Sequence, residues 1–128
     1  MKEVAQLVFD KLLTDNTLPP IYWENIDKAL PADSHLIVTL IDTGAGQEFL
    51  GVSKQDNYIL QVNIAVKRGV GQLKAMDIGA KVLQLFAKNT ILQASPLVSV
   101  DLTPAYGTGY YDEKWYLLPL KVSINSIS

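Results

Sequence analysis

Two stretches of the chain repeat apolar residues with the two-residue period of a β-strand. From His35 to Asp42 both faces are largely apolar, which is typical of a strand in the middle of a sheet. From Asn57 to Val66 one face is apolar and the other is mixed, so we expect one buried face there. These two strands are the strongest elements that the pattern predicts.

Weaker signals predict four further extended segments. A short piece over 20–24 begins at the second of two consecutive prolines. Thr43-Gly44-Ala45-Gly46 predicts a flexible turn before a short ragged strand over 47–52. Alternation returns over 97–103 and over 114–124. Pro119 lies inside the last of these and has no N–H to donate, so we expect an edge or a bulge there.

Helical spacing of apolar residues appears twice. The first helix is predicted over 2–14, and the second over about 72–88 with Asn89 as its C-cap. The stripe predicted to face the core of the second helix is Met76, Gly79, Ala80, Leu83, Phe86 and Ala87, with Leu73 and Val82 beside it.

The order of these elements is helix, strands, helix, strands. Strands in hairpin-compatible groups favour an α+β fold rather than alternating β-α-β units. We therefore predict an antiparallel or mixed sheet of about four to six strands with two helices packed on one face. At 128 residues the chain suits a single domain spanning 1–128.

Composition excludes several classes of protein. A net charge of −2 argues against a nucleic-acid binder that depends on a broad basic surface. The chain has no cysteine, so it has neither disulfides nor a thiolate metal site. No apolar run approaches the ~20 residues of a membrane helix, and the first residues do not resemble a secretory signal. We expect neither nucleic-acid specificity nor membrane association.

Candidate catalytic chemistry is sparse. His35, the one histidine, is expected to be a polar residue at a strand entry, and no serine elbow accompanies it. The glycines at 44 and 46 and at 69 and 71 form incomplete phosphate-loop patterns. Asp112 and Glu113 are adjacent carboxylates that could act with Asp101 or Asp42, or bridge subunits through a divalent cation. A solvated acidic loop is the favoured interpretation of these residues.

The C-terminal third is rich in aromatic residues. Tyr and Trp pack cores, are enriched at protein interfaces, and stack on single-stranded bases. Basic residues are not interleaved with them here, so core packing and a protein interface are the favoured readings. The residues concerned are Tyr106, Tyr110, Tyr111, Trp115 and Tyr116.

Taken in order, these landmarks resemble one family. The resemblance rests on Pro20-Ile21-Tyr22-Trp23-Glu24-Asn25, Pro31-Ala32, Leu36-Ile37-Val38-Thr39-Leu40, Tyr58-Ile59-Leu60-Gln61-Val62-Asn63-Ile64, Gly69-Val70-Gly71, Phe86 and Trp115-Tyr116-Leu117-Leu118-Pro119. The set is similar to the tail terminator-like proteins of long-tailed bacteriophages and prophages, akin to minor tail protein U of lambda-like phages. Two departures are Lys67-Arg68, where the family commonly has a proline, and Asp112-Glu113-Lys114, where it often has an Asp-Gly-Gly turn.

The resemblance implies a structural virion protein without catalysis or cofactor. Such a protein forms a ring, usually hexameric, that caps the finished tail tube and offers a surface for head joining. The implied partners are further copies of the chain, the major tail tube protein and the head–tail connector proteins. The implied location is the virion tail, with assembly in the host cytoplasm.

On this interpretation six residues are candidates for interface contacts and four are structural anchors. The interface candidates are Phe49, Leu50, Lys67, Arg68, Tyr110 and Tyr111. The anchors are Trp23, Glu24, Asn25 and Trp115. Three alternatives stay open: a head-completion or neck protein, a small ligand-binding module, and a hydrolase or nuclease that uses carboxylates and a metal. The ligand-binding alternative requires a pocket with convergent polar groups, and the metal enzyme requires three or more converging acidic residues.

Overall fold

A computed structural model describes residues 2–23, 34–49, 53–67, 69, 72–94, 97–101, 103–112 and 115–127. Two helices and eight strands are formed by these residues. In chain order they are α1 (Lys2–Leu13), β1 (Ile21–Trp23), β2 (His35–Phe49), β3 (Ser53–Lys67), α2 (Gln72–Leu85), β4 (Ile91–Ala94), β5 (Leu97–Val100), β6 (Ala105–Tyr106), β7 (Tyr110–Asp112) and β8 (Trp115–Ile127).

All eight strands belong to one mixed sheet. The order across it is β1-β2-β3-β8-β5-β4, and β6 and β7 also pair with β8. β1 is parallel to β2, and every other pairing is antiparallel. The predicted α+β class is confirmed, although the sheet has more strands than the expected four to six. The additional strands are only two to four residues long, too short to leave a periodic signal.

The hairpin of β2 and β3 joins the two longest strands, each of 15 residues. The turn predicted over 43–46 is wrong, because the backbone of β2 continues through it as a strand. The register shifts between Asp42 and Gly44 and again between Ala45 and Glu48. Bulges take up extra residues without ending a ladder, so the glycines mark irregularities within the strand rather than its end.

β8 occupies the middle of the sheet. One side of it pairs with β3 along its whole length, and the other side pairs in turn with β7, β6 and β5. Pro119 keeps its register with Asn63 of β3, so no bulge forms there. Its carbonyl accepts a hydrogen bond from Gly107 N–H at 2.9 Å on the other side. The N–H and C=O groups of one strand residue point to the same side of the strand. The nitrogen of Pro119, which has no hydrogen to donate, therefore faces the gap between β6 and β7.

Both helices pack on one face of this sheet and share one core with it. The core-facing strand positions are the alternating apolar residues that the sequence pattern predicted, including Leu60, Val62 and Ile64 of β3. Val4, Val8 and Leu12 of α1 and Val82 of α2 are fully or almost fully buried against them. The predicted arrangement of two helices on one face is confirmed.

The face of α2 that enters the core differs from the predicted stripe. Its buried residues are Ala75, Ile78, Gly79 and Val82, followed by Phe86 after the helix. Leu73 is 78% exposed and Met76 is 50% exposed. The sequence could not decide this, because two neighbouring arcs of the helix are both apolar. The helix ends at Leu85, and Asn89 adopts a left-handed φ of 69° beyond it.

Candidate interaction surface

The start of β8 brings together three of the predicted interface residues. Trp115 pairs with Lys67 of β3 on one side and with Asp112 of β7 on the other, and Tyr111 pairs with Tyr116. Neighbouring strands lie about 4.8 Å apart, so the backbone of Lys67 is about 10 Å from β7. Lys67, Tyr110 and Tyr111 are all exposed. We refer to these three residues as the β7 rim.

The two tyrosines of the β7 rim leave the sheet in opposite directions. Tyr110 is opposite Leu117 and is 48% exposed, whereas Tyr111 is opposite Tyr116 and is 53% exposed. The rings of Tyr111 and Tyr116 are 5.1 Å apart with an angle of 56° between their planes, and Tyr116 is buried. Tyr111 is therefore supported by a packed aromatic ring on its face of the sheet, whereas Tyr110 is exposed on the other face.

Two glycines allow the segment before β7 to approach β8 closely. A Cβ atom added at Gly107 would be 3.0 Å from Pro119 Cγ. A Cβ atom added at Gly109 would overlap the hydroxyl of Tyr116. Larger residues at these positions would push the segment away, so the glycines place the β7 rim.

Beneath the rim lies a buried aromatic cluster. His35 is 1% exposed, and its ring contacts that of Trp115, which is 8% exposed. The ring of Tyr22 lies 6.0 Å from that of His35 in an edge-on arrangement. At the other side of the molecule, Trp23 packs against Phe9 of α1 with ring centroids 5.8 Å apart. β1 thus carries one aromatic residue to each face of the sheet.

The remaining predicted site residues are only partly placed. Phe49 ends β2, and its backbone alone is described. Leu50, Arg68, Glu24 and Asn25 lie outside the described residues. Next to Arg68, Gly69 has a φ of 98°, a conformation that favours glycine, as expected at the loop before α2.

Among the residues that the structure describes, the carboxylates do not converge as a metal enzyme would require. Asp42 and Asp56 lie near Tyr58, at the end of the sheet opposite to Asp112. Within the described part of the chain, no three His, Cys, Asp or Glu residues are grouped so that they could hold a metal ion. Burial of Tyr58 raises the pKa of its hydroxyl, and the negative charges of Asp56, Asp42 and Glu3 raise it further.

Two grooves at the surface of the described residues bear on the ligand-binding alternative. A groove of about 420 Å³ is lined by Ala5, Gln6, Phe9 and Trp23, which offer one polar side chain. A second groove, of about 280 Å³, has more polar groups, but its Thr43 hydroxyl already donates to the carbonyl of Asn57 at 2.9 Å. Neither helix among the described residues is long and apolar enough to cross a membrane.

A family model described as phage tail terminator protein matches residues 3–124, which is nearly the whole chain. The chain belongs to the phage tail terminator protein family. The resemblance seen in the sequence is therefore confirmed, and the protein is a structural component of a phage tail.

Solved structures agree on the fold of this tail terminator family member. One superposes with a TM-score of 0.76, covering 98% of this chain and 95% of its own, at 19% sequence identity. In total 14 solved chains match. At such low identity the likeness supports the fold alone. No curated protein sequence matches the chain significantly.

Proposed function

We propose that the protein forms a hexameric ring that caps the finished tail tube, ends its polymerisation and presents a surface for head joining. The observation that carries this proposal is the family match over residues 3–124. In this role the protein is not an enzyme and needs no cofactor. It acts by occupying the exposed edge of the last ring of tube subunits, so that no further subunit can bind.

A closed ring requires head-to-tail contacts between two different surfaces of each subunit. The β7 rim suits one of them, because exposed tyrosines on a rigid strand supply contact area at a low entropic cost. Lys67 adds a charge at the same end of the sheet. We assign Lys67, Tyr110 and Tyr111 to subunit or tube contacts, together with Arg68, which follows Lys67 directly.

The second predicted contact region is the end of the β2–β3 hairpin. The hairpin pairing reaches Phe49 and Ser53, so the long strands carry this end away from the start of β8. We assign Phe49 and Leu50 to contacts with a neighbouring subunit or with the tube. On this assignment the described residues of the two regions, Phe49 and Lys67, are at opposite ends of the β3 pairing, and an extended strand of 15 residues is about 45 Å long.

Four residues are proposed to hold the subunit together rather than to bind partners. Trp115 fills the space beside His35, and Trp23 contacts Phe9. Glu24 and Asn25 continue directly from Trp23 and are proposed to anchor the same segment. The partners are further copies of the chain, the major tail tube protein and the head–tail connector proteins. Assembly is proposed to take place in the host cytoplasm before the ring joins the virion tail.

The deciding experiment is tube assembly with purified proteins. Tail tube protein is polymerised with and without this protein, and tube lengths are measured by electron microscopy. We expect shorter tubes, each with additional density at one end. Binding along the sides of the tubes, or no binding, would refute the capping role. Binding to the connector without binding to the tube would support the head-completion alternative instead.

Variants of the β7 rim test whether this surface makes the contacts that capping requires. The double variant Tyr110→Ala with Tyr111→Ala is expected to cap tubes at least about tenfold less effectively, corresponding to roughly 1.4 kcal/mol of lost contact. Thr108→Ala in the same segment is the matched control, since Thr108 is also exposed. Equal capping by the double variant and the wild type would remove the rim from the interface.

A further inference from the structure

We draw no further inference here: the strongest candidate, the pair of outer edges that β1 and β7 form at opposite sides of the sheet, carries none, because nothing in the part of the chain that the structure describes shows what covers either edge.

Discussion

The ring of His35 meets the ring of Trp115 edge-on, with centroids 4.8 Å apart and an angle of 87° between the planes. These residues begin β2 and β8, two strands that β3 separates in the sheet. Both side chains are buried. The contact therefore spans three strands on the face away from the helices and fixes the end of the sheet that carries the β7 rim.

Replacement of Trp115 tests this contact. Trp115→Ala is expected to lower the free energy of unfolding by about 3–5 kcal/mol, because it leaves a cavity beside His35. Chemical denaturation measures the change. The exposed Tyr110→Ala should change stability by about 0.5 kcal/mol or less. A Trp115→Ala protein as stable as the wild type would contradict the buried contact.

The contact between Gly79 and Tyr106 predicts that the effect of Gly79→Ala on stability depends on the residue at position 106. In the wild type, Gly79→Ala gains helix propensity, but its Cβ atom meets the ring and hydroxyl of Tyr106, which must move. In a Tyr106→Ala background that obstacle is absent, and Gly79→Ala should stabilise by about 1 kcal/mol. A double-mutant cycle by thermal denaturation measures the difference. Additive effects of the two substitutions would show that the residues do not touch.

Tyr58 predicts how stability changes in alkaline solution. Its pKa in the folded protein is raised above the ordinary value of 10.0 by burial first and then by Asp56, Asp42 and Glu3. The folded state therefore holds the phenolic proton more tightly than the unfolded state does. This contribution to stability is present below pH 10 and is lost as the pH rises through the folded pKa.

Two variants separate the causes of the Tyr58 shift. Asp56→Asn removes the largest charge effect and should lower the pKa of Tyr58, measured from its ultraviolet absorbance during titration. Tyr58→Phe should lose less stability than the wild type between neutral and strongly alkaline pH. Partial burial of Tyr106, which is 39% exposed, raises the pKa of that residue as well. An unchanged Tyr58 titration in Asp56→Asn would contradict the proximity of the two groups.

The turn after α1 predicts a loss of stability in acid. The Thr17 hydroxyl and backbone N–H donate to the Asp15 carboxylate at 2.5 and 2.9 Å and hold its pKa below the ordinary 3.8, with Lys81 contributing less. Stabilisation by this turn is present above that value and is lost as the pH falls through the folded pKa. Thr17→Val removes only the hydroxyl donor and should raise the pKa of Asp15, as measured by NMR. Thr14→Val, which leaves Asp15 its donors, should not.

Alternation of residues along the chain determined much of this fold. The strand over 57–66 and the face of it that is buried follow from a simple physical rule, since successive side chains of a strand point to opposite sides. The helix over residues 2–13 follows from apolar spacing in the same way. The ordered landmarks also led to the tail terminator family. Each strand and helix signal lies within a short stretch of sequence, where the local backbone geometry decides which face an apolar residue occupies.

Only the tertiary structure decided the features that depend on distant partners. Gly44 and Gly46 lie inside a strand because β3 offers a ladder that tolerates bulges. Met76 is exposed because the neighbouring arc of α2 packs against the sheet. The sequence could not indicate this, because both arcs are apolar. Lys67 and Tyr111 share one end of the sheet because β8 lies between their strands. Pairing and burial of this kind depend on which surfaces meet in space, and one-dimensional periodicity carries no information about that choice.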